Sequence, residues 1–375
     1  MPEALKPLTA LRFFAALWVV AYAAWPSLGL ATPVWVAKGY LGVDLFFCLS
    51  GFILCHVYVR KIRDGQFQYG SFLWARLARI YPVHLVTLIG LGAMVMLGEA
   101  FGEKSTGNVV VWSSLPAQLS LTQAWGASPL GGWNHPSWSI SAEWFAYLCF
   151  PLFAGVALAM RARPGLMALA ALVILASTAT LFQAVSGQSL THATIAWGAL
   201  RIVPSFLLGC AVYQVWASKP AWPSAVALSA VLASVVLIGS GISFGAPDWS
   251  LIPLFGVLIF GLAGLARLGE GGGLSSVLVY LGEASFSFYM LHVPWTLAYD
   301  RAAHWAFHLE GQALPLRLWL FSLLGLQIFA LALHGLIERP ARSFLRRHGP
   351  TGLNAAFRHG FGLILRQVSR RGVAV

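Results

Sequence analysis

The run Arg76-Leu-Ala-Arg79-Ile-Tyr-Pro82 places two arginines three residues apart, on one face of a helix. Two planar guanidinium groups side by side can hold a phosphate in bidentate fashion, and they can equally anchor a helix end among lipid headgroups. Arg12 stands near the start of a second informative stretch, LRFFAALWVVAYAAWP, and eleven residues after it comes Ala23. Eleven helical residues lift position 23 about 16 Å above Arg12, to a place that offers only a methyl group. Asp44 and Ser50 lie in GVDLFFCLSG, Glu143 in WSISAEW, Arg201 in ALRIVPSF, and Ser285, Ser287, Tyr289 and His292 in ASFSFYMLH. Carboxylates, hydroxyls and an imidazole are the groups that pass protons to and from a reacting oxygen.

The stretches holding these residues are apolar, and a charge inside a membrane span costs on the order of 2.5–3.5 kcal/mol. Each therefore needs a partner or a task. Structural alternatives stand beside the chemical ones. Asp44 can cap its helix or hold a neighbour, and Glu143 can pair with Arg201 as a buried ion pair. His292 can be a hydrogen-bonded core histidine, and Arg12 can snorkel to the headgroups. Asp300, His304 and His308 recur at i, i+4 and i+8, which on a helix would align three potential metal ligands, but no partner residues surround them in sequence and no metal is expected.

The elements that must position these groups are membrane helices. Of 375 residues, 58% are hydrophobic and 10% charged, with 16 Trp; such a chain lies outside the range of soluble globular domains. Apolar segments of about twenty residues occur at roughly 8–30, 39–59, 80–98, 138–160, 165–186, 195–217, 222–242, 248–268, 275–298 and 315–337. The expected fold is all-α and polytopic, with about ten transmembrane helices. With the N-terminus in the cytoplasm, 19 of the 24 lysines and arginines fall inside, from Lys6 to Arg371. Only Lys38, Lys104, Arg301 and Arg317 fall outside, and Arg201 lies within a span. This asymmetry places both termini in the cytoplasm and assigns the net charge of +12 to the inner membrane face rather than to nucleic acid. Asp44, Glu143, Arg201 and His292 then lie in the outer half of the membrane and Arg12 in the inner half, a polar path across the bilayer.

Other features are quieter. Cys48, Cys55, Cys149 and Cys210 sit singly in apolar runs, which argues against disulfides and thiolate metal sites. The polar interruption at about 99–137, with Glu99, Glu103 and Lys104, contains VVVWSSLPAQLSLTQAW, too short and mixed to span and suited to an interfacial or re-entrant element. Beyond Arg339 the chain is basic, as in a helix or arm lying on an anionic inner leaflet. Ala21-Tyr22-Ala23 also fits a signal-peptide cleavage pattern. Cleavage there would leave nine spans.

Several stretches, in order, resemble the membrane-bound acyltransferase family 3: LTALRFFAALWVVAYAAWP, GYLGVDLFFCLSGFIL, RLARIYP, WNHPSWSISAEWFAYLCFPL, YLGEASFSFYMLHVPW and IERPAR, spread from residue 8 to residue 342. The resemblance implies a transmembrane acyltransferase domain over 1–342 and a basic cytoplasmic tail over 343–375, and it makes the first span part of the family core rather than a signal peptide. It implies a bacterial inner-membrane O-acyltransferase that takes an acetyl group from cytoplasmic acetyl-CoA to a hydroxyl of an extracytoplasmic saccharide. Membrane lipids surround such a protein. With no further domain after the last span, the acyl group would pass straight to the acceptor or to unlinked glycan-biosynthesis machinery.

Residue by residue, the resemblance assigns Arg12, Arg76, Arg79 and Ser50 to the CoA site. It makes Glu143 or Asp44 the carboxylate that orients a base, and it puts His292, Trp138, Ser139 and Arg201 on the acceptor side. The family pattern in the first span is an arginine, ten residues and a catalytic histidine. Arg12 matches, and Ala23 stands where the histidine belongs, through natural loss or deliberate change; the completeness of the other motifs favours deliberate change. Two other classes remain: a catalytically dead scaffold, which fits Ala23 literally, and a secondary transporter, which would more typically show two repeated halves. No such repeat is visible.

The charge asymmetry makes a direct prediction. Single cysteines at Gly107, Gly245 and Gly311 should react with an impermeant thiol reagent from outside the cell, and one at Gly349 should not; the reverse pattern would overturn the orientation.

Overall fold

In a computed structural model, residues 5–101, 109–126, 131–219, 221–269, 276–309 and 312–349 are described, and every regular element among them is helical. Glu103, Lys104, Gly107, Gly311 and the tail beyond residue 349, with Arg358, Arg366, Arg370 and Arg371, lie outside the described residues. The helices are α1 (Lys6–Ala24), α2 (Val34–Ala37), α3 (Gly42–Arg63), α4 (Tyr69–Ala100), α5 (Leu115–Ser120), α6 (Ser137–Leu148) and α7 (Phe150–Ala159). They continue as α8 (Pro164–Ser186), α9 (Gly198–Ala217), α10 (Ser224–Ser243), α11 (Asp248–Arg267), α12 (Ser276–Phe307), α13 (Leu316–Leu333) and α14 (Arg339–Arg347). A π-helical turn, His334–Glu338, joins the last two. Lipid offers no partner for a backbone N–H or C=O, so a chain this apolar must satisfy both internally, and a helix does so within one segment.

Among the described residues, eight helical segments are long and apolar enough to cross a membrane, and a ninth if the bent pair α6–α7 is one span. The expected span at 138–160 is that pair, bent by 55°. Pro151 supplies the cause, because it has no N–H for the carbonyl of Tyr147 and its ring crowds that carbonyl. The expected span at 275–298 lies in α12, which runs for 32 residues but is not among the eight. It carries Glu283, His292 and Asp300 between its apolar residues. The described part of the interruption before α6 holds a short 3₁₀ turn (Trp112–Ser114) and the six-residue α5, neither long enough to span. Ser141 on α6 pins the chain just after α5, its hydroxyl donating to the Leu121 carbonyl at 2.8 Å and accepting from the Ala124 N–H at 3.0 Å.

Two parallel helix pairs set the frame of the site. α3 and α9 approach until a Cβ on Gly51 would strike the Phe206 carbonyl and one on Gly209 the Cys48 carbonyl. In a membrane, where lipid tails are as apolar as leucine, such close backbone contact supplies much of the packing attraction. At one end of this contact Asp44 accepts from Arg201 at 2.7 and 3.3 Å. Arg201 also donates to the carbonyls of Ala193 and Tyr40 and lies 5.0 Å from the ring centroid of Trp138. Glu143 is not the partner of Arg201, contrary to the ion pair open from sequence, because α6 turns Glu143 toward Ser50 instead.

The second pair is α1 with α12. Gly282 presses against the Thr9 carbonyl, and 18 residues further along both segments Ser27, in the 3₁₀ turn Trp25–Leu28 that follows α1, donates to Asp300 at 2.7 Å. Both contacts have an offset of 273 residues. Arg12 lies level with Ser285, Val19 with His292, and Ala23 with Thr296.

Asp44 is fully buried and Arg201 2% exposed. Asp44→Ala should therefore strand a buried guanidinium and lower stability by about 3–5 kcal/mol, seen as a lower thermal unfolding midpoint in detergent. The double replacement Asp44→Leu with Arg201→Met should lose far less, and an equal loss would show that the pair is not the source.

Candidate functional site

Five helices line one cavity. α1 contributes Arg12, α3 Ser50, α4 Arg76 and Arg79, α6 Ser139 and Glu143, and α12 Ser285 and Tyr289. Apolar side chains, chiefly Phe46, Phe47, Ile53, Leu54 and Ile80, complete the wall. The spacing of each motif follows from this convergence. Arg76 and Arg79 are three residues apart, so both face inward from one side of α4, and Ser139 and Glu143 are four apart on α6.

Polar contacts inside the cavity are few and defined. The Ser50 hydroxyl donates to Glu143 Oε1 at 2.6 Å. Tyr289 donates to Ser139 Oγ at 2.8 Å, and Ser139 donates to the Pro136 carbonyl at 2.9 Å. Arg76 is buried among the rings of Tyr58, Phe72 and Tyr147 and donates to the Tyr58 hydroxyl at 3.4 Å, while its buried Nε has no hydrogen-bond partner among the described residues. Among the described residues no hydrogen bond or ion pair joins the guanidinium groups of Arg12 or Arg79 to another side chain. Three cations around one carboxylate leave an excess of positive charge facing a largely apolar space.

Arg12 and Arg79 also belong to a second, wider chamber. Its remaining walls are Glu283 of α12, the π-helical turn and α14, with His334, Glu338, Arg339, Arg342, Arg346 and Arg347. Glu338 is buried, its Oε2 accepting from the Ser287 hydroxyl at 2.6 Å and from His334 Nδ1 at 3.0 Å. It and Glu283 share the chamber lining with Arg12, Arg79, Arg339, Arg342, Arg346 and Arg347, so positive charge is in excess there. α14 is held there by Trp74, whose indole donates to the Leu345 carbonyl at 2.6 Å. The residues after Arg339, expected as a basic helix or arm on the leaflet, begin as a helix docked beside the first turns of α4.

Several expected site residues lie outside the cavity lining. Asp44 and Arg201 are paired with each other. Trp138 is buried under Arg201. His292 lies one turn beyond Tyr289, buried, its Nδ1 hydrogen-bonded to the Tyr289 carbonyl. Ala23 is exposed in the last turn of α1 and does not line the cavity. Eleven residues at 3.6 per turn return it to within about 20° of the face of Arg12, so it stands over the cavity on the same side of α1, level with the turn after His292. The histidines of the 300–308 segment are not arranged as ligands. His304 is bonded through Nδ1 to the Asp300 carbonyl at 2.6 Å and through Nε2 to the Gln312 carbonyl at 2.9 Å. These carbonyls raise its pKa above the ordinary histidine value. His308 lies beyond the end of α12 with φ of 52°. No group of three His, Cys, Asp or Glu side chains among the described residues could hold a metal ion.

Sequence reasoning missed Tyr147, which lines the cavity, and the pair His334 and Glu338 to which Ser287 is linked. Glu338 opens the ERPAR segment, and a lone glutamate at the end of an apolar span was the available signal.

A bundle of many apolar helices around a partly polar cavity, with an arginine-rich chamber beside it, defines an integral membrane protein of the many-pass helical class. The profile of the family described as "Acyltransferase domain" matches residues 6–335, and the chain belongs to this acyltransferase family 3. It is 30% identical to acyltransferase MdmB of Streptomyces mycarofaciens over 92% of this chain and 94% of that one. It is 26% identical to putative peptidoglycan O-acetyltransferase YrhL of Bacillus subtilis, over 56% of this chain and 33% of that protein. To putative O-acetyltransferase SACOL0978 of Staphylococcus aureus it is 22% identical, over 85% of this chain and 55% of that one. The chain thus spans about a third and about half the length of the latter two. No solved structure matches it.

Proposed function

We propose that this fold transfers an acyl group, acetyl in the first instance, from acyl-CoA to a hydroxyl of a saccharide on the far side of a bacterial cytoplasmic membrane, and that Ala23 stands where the base of that reaction belongs. The observation that carries the reading is the pair of spaces joined at Arg12 and Arg79: a narrow, mostly apolar cavity and a wide chamber rich in arginine. An acyl-CoA has the matching asymmetry, a thin pantetheine arm ending in the thioester and a nucleotide bearing several phosphate charges. The unpartnered guanidinium nitrogens of Arg12, Arg76 and Arg79 suit the diphosphate, and the apolar walls suit the arm. Membrane lipids and the saccharide acceptor are its partners in this reading, with glycan-biosynthesis machinery supplying the acceptor.

In the transfer, the acceptor oxygen attacks the thioester carbonyl carbon while its proton passes to the base; the C–S bond breaks, and the leaving sulfur takes up a proton. Glu143, braced by Ser50, is the carboxylate of the cavity, whereas Asp44 is committed to Arg201 and serves the packing of α3 on α9. His292 and Ser139 lie on the acceptor side of Tyr289, and Trp138 and Arg201 act there by fixing α6 against α9.

Two measurements test the two halves of this reading. Arg76→Ala or Arg79→Ala should weaken CoA binding by about 1.5–3 kcal/mol, as expected of a charged hydrogen bond, with lysine restoring only part of it. Undiminished CoA binding in the double alanine variant would make these residues lipid anchors. Ala23→His should raise acetyl transfer by about 10²- to 10⁴-fold. The gain should increase with pH through about 6.5, where an unperturbed imidazole loses its proton, while CoA affinity changes little. A folded, CoA-binding Ala23→His protein that acylates no saccharide would favour the scaffold reading, for which Ala23 itself is the supporting observation.

A further inference from the structure

A third space adjoins the basic chamber. It is a groove between the last turns of α3, the α3–α4 connection, the first turns of α4 and α14. Arg346 lines both the chamber and the groove, just as Arg12 and Arg79 line both the chamber and the cavity. The chamber therefore shares wall residues with the space on each side of it. The walls of the groove differ from those of the chamber. Tyr58 and Phe67 meet edge to face with centroids 5.9 Å apart and are both half-buried, so each has surface left at the groove. Lys61 Nζ lies 5.6 Å from the Tyr58 ring centroid. Lys61 and Arg346 are both exposed, and neither is paired with a carboxylate among the described residues. Tyr58 also ties the groove to the cavity, since its hydroxyl accepts from Arg76.

Aromatic surface beside two unpaired cations is a combination that takes a purine base and a phosphate together. Resting on the acyl-CoA reading above, we propose that this groove holds the 3′-phosphoadenosine end of the donor, with the base against Tyr58 and Phe67 and the ribose 3′-phosphate between Lys61 and Arg346. The order of the spaces then repeats the order of the molecule: thioester and pantetheine in the cavity, diphosphate at the arginines where cavity and chamber meet, phosphorylated nucleoside in the groove. α14 becomes a donor-binding element. It would make the protein select CoA over a donor that lacks the 3′-phosphate.

The test uses the full chain in nanodiscs of zwitterionic lipid, with CoA, dephospho-CoA and adenosine 3′,5′-bisphosphate as titrants. The parent should bind CoA at least about tenfold more tightly than dephospho-CoA, a difference of about 1.4 kcal/mol, and adenosine 3′,5′-bisphosphate should compete with CoA. Lys61→Ala with Arg346→Ala, both at exposed positions, should abolish the preference by weakening CoA and leaving dephospho-CoA unchanged. Equal affinity of the parent for CoA and dephospho-CoA, or equal loss of both in the double variant, would overturn the groove assignment while leaving the donor reading intact. A parent that binds neither titrant would overturn both. Nanodiscs containing phosphatidylglycerol separate the remaining source of phosphate: if the double variant loses only the thermal stabilisation this lipid confers and keeps its CoA preference, the groove is a headgroup site and the proposal fails.

Discussion

Arg12, Arg76 and Arg79 come from two helices to one cavity that contains a single carboxylate, Glu143, and that carboxylate is already held by Ser50. Like charges in a low-dielectric interior repel far more strongly than in water, so this cluster persists only because the surrounding helices leave it no other arrangement and because the space in front of it can hold water or an anion. Much of the architecture serves that constraint. The α1–α12 pair fixes the height of Arg12, while α14, clamped by Trp74, closes the chamber with yet more cations.

The charged groups outside the cavity follow the opposite rule. Asp44 and Arg201 are buried but paired, and every donor direction of that guanidinium that meets protein finds a carboxylate or a carbonyl. Asp248 accepts from Lys38, Tyr40 and Thr191 in the same way. These satisfied networks set the geometry of α3, α9 and α11 and have no capacity left for a ligand. Capacity remains where partners are missing, at Arg76 Nε and at the free faces of Arg12 and Arg79. The difference between a structural charge and a functional one in this fold is thus whether its hydrogen-bonding groups are filled by the protein itself.

The π-helical turn at His334–Glu338 links the two regimes. An inserted residue in a helix leaves a backbone irregularity that costs stability, and such turns gather at functional sites. Here the turn carries Glu338 inward to Ser287 and His334 and starts α14 on the heading that brings Arg342 and Arg346 over the chamber.

How much of this was legible in the sequence depends on the kind of feature. Span positions were legible because twenty apolar residues are a local property, and the all-helical fold comes from the lack of backbone partners in lipid. Arg12, Ser50, Arg76, Arg79, Ser139 and Glu143, which line one cavity, stood out in the sequence because charge and hydroxyl are conspicuous in apolar runs and because their motifs were recognisable together. The break between α6 and α7 could have been anticipated from Pro151. Partner choice could not. Sequence offered Glu143 to Arg201 as readily as Asp44, since both are single carboxylates in apolar spans, and only the parallel packing of α3 on α9 through Gly51 and Gly209 decided for Asp44. Likewise the arginines after Arg339 have the same composition whether they lie on a lipid surface or line a chamber. By itself the sequence determined which segments are helices and which residues are too polar to be there without a reason. The tertiary structure alone decided which of those polar residues satisfy one another and which are left facing a cavity, because that depends on how helices distant in the chain cross.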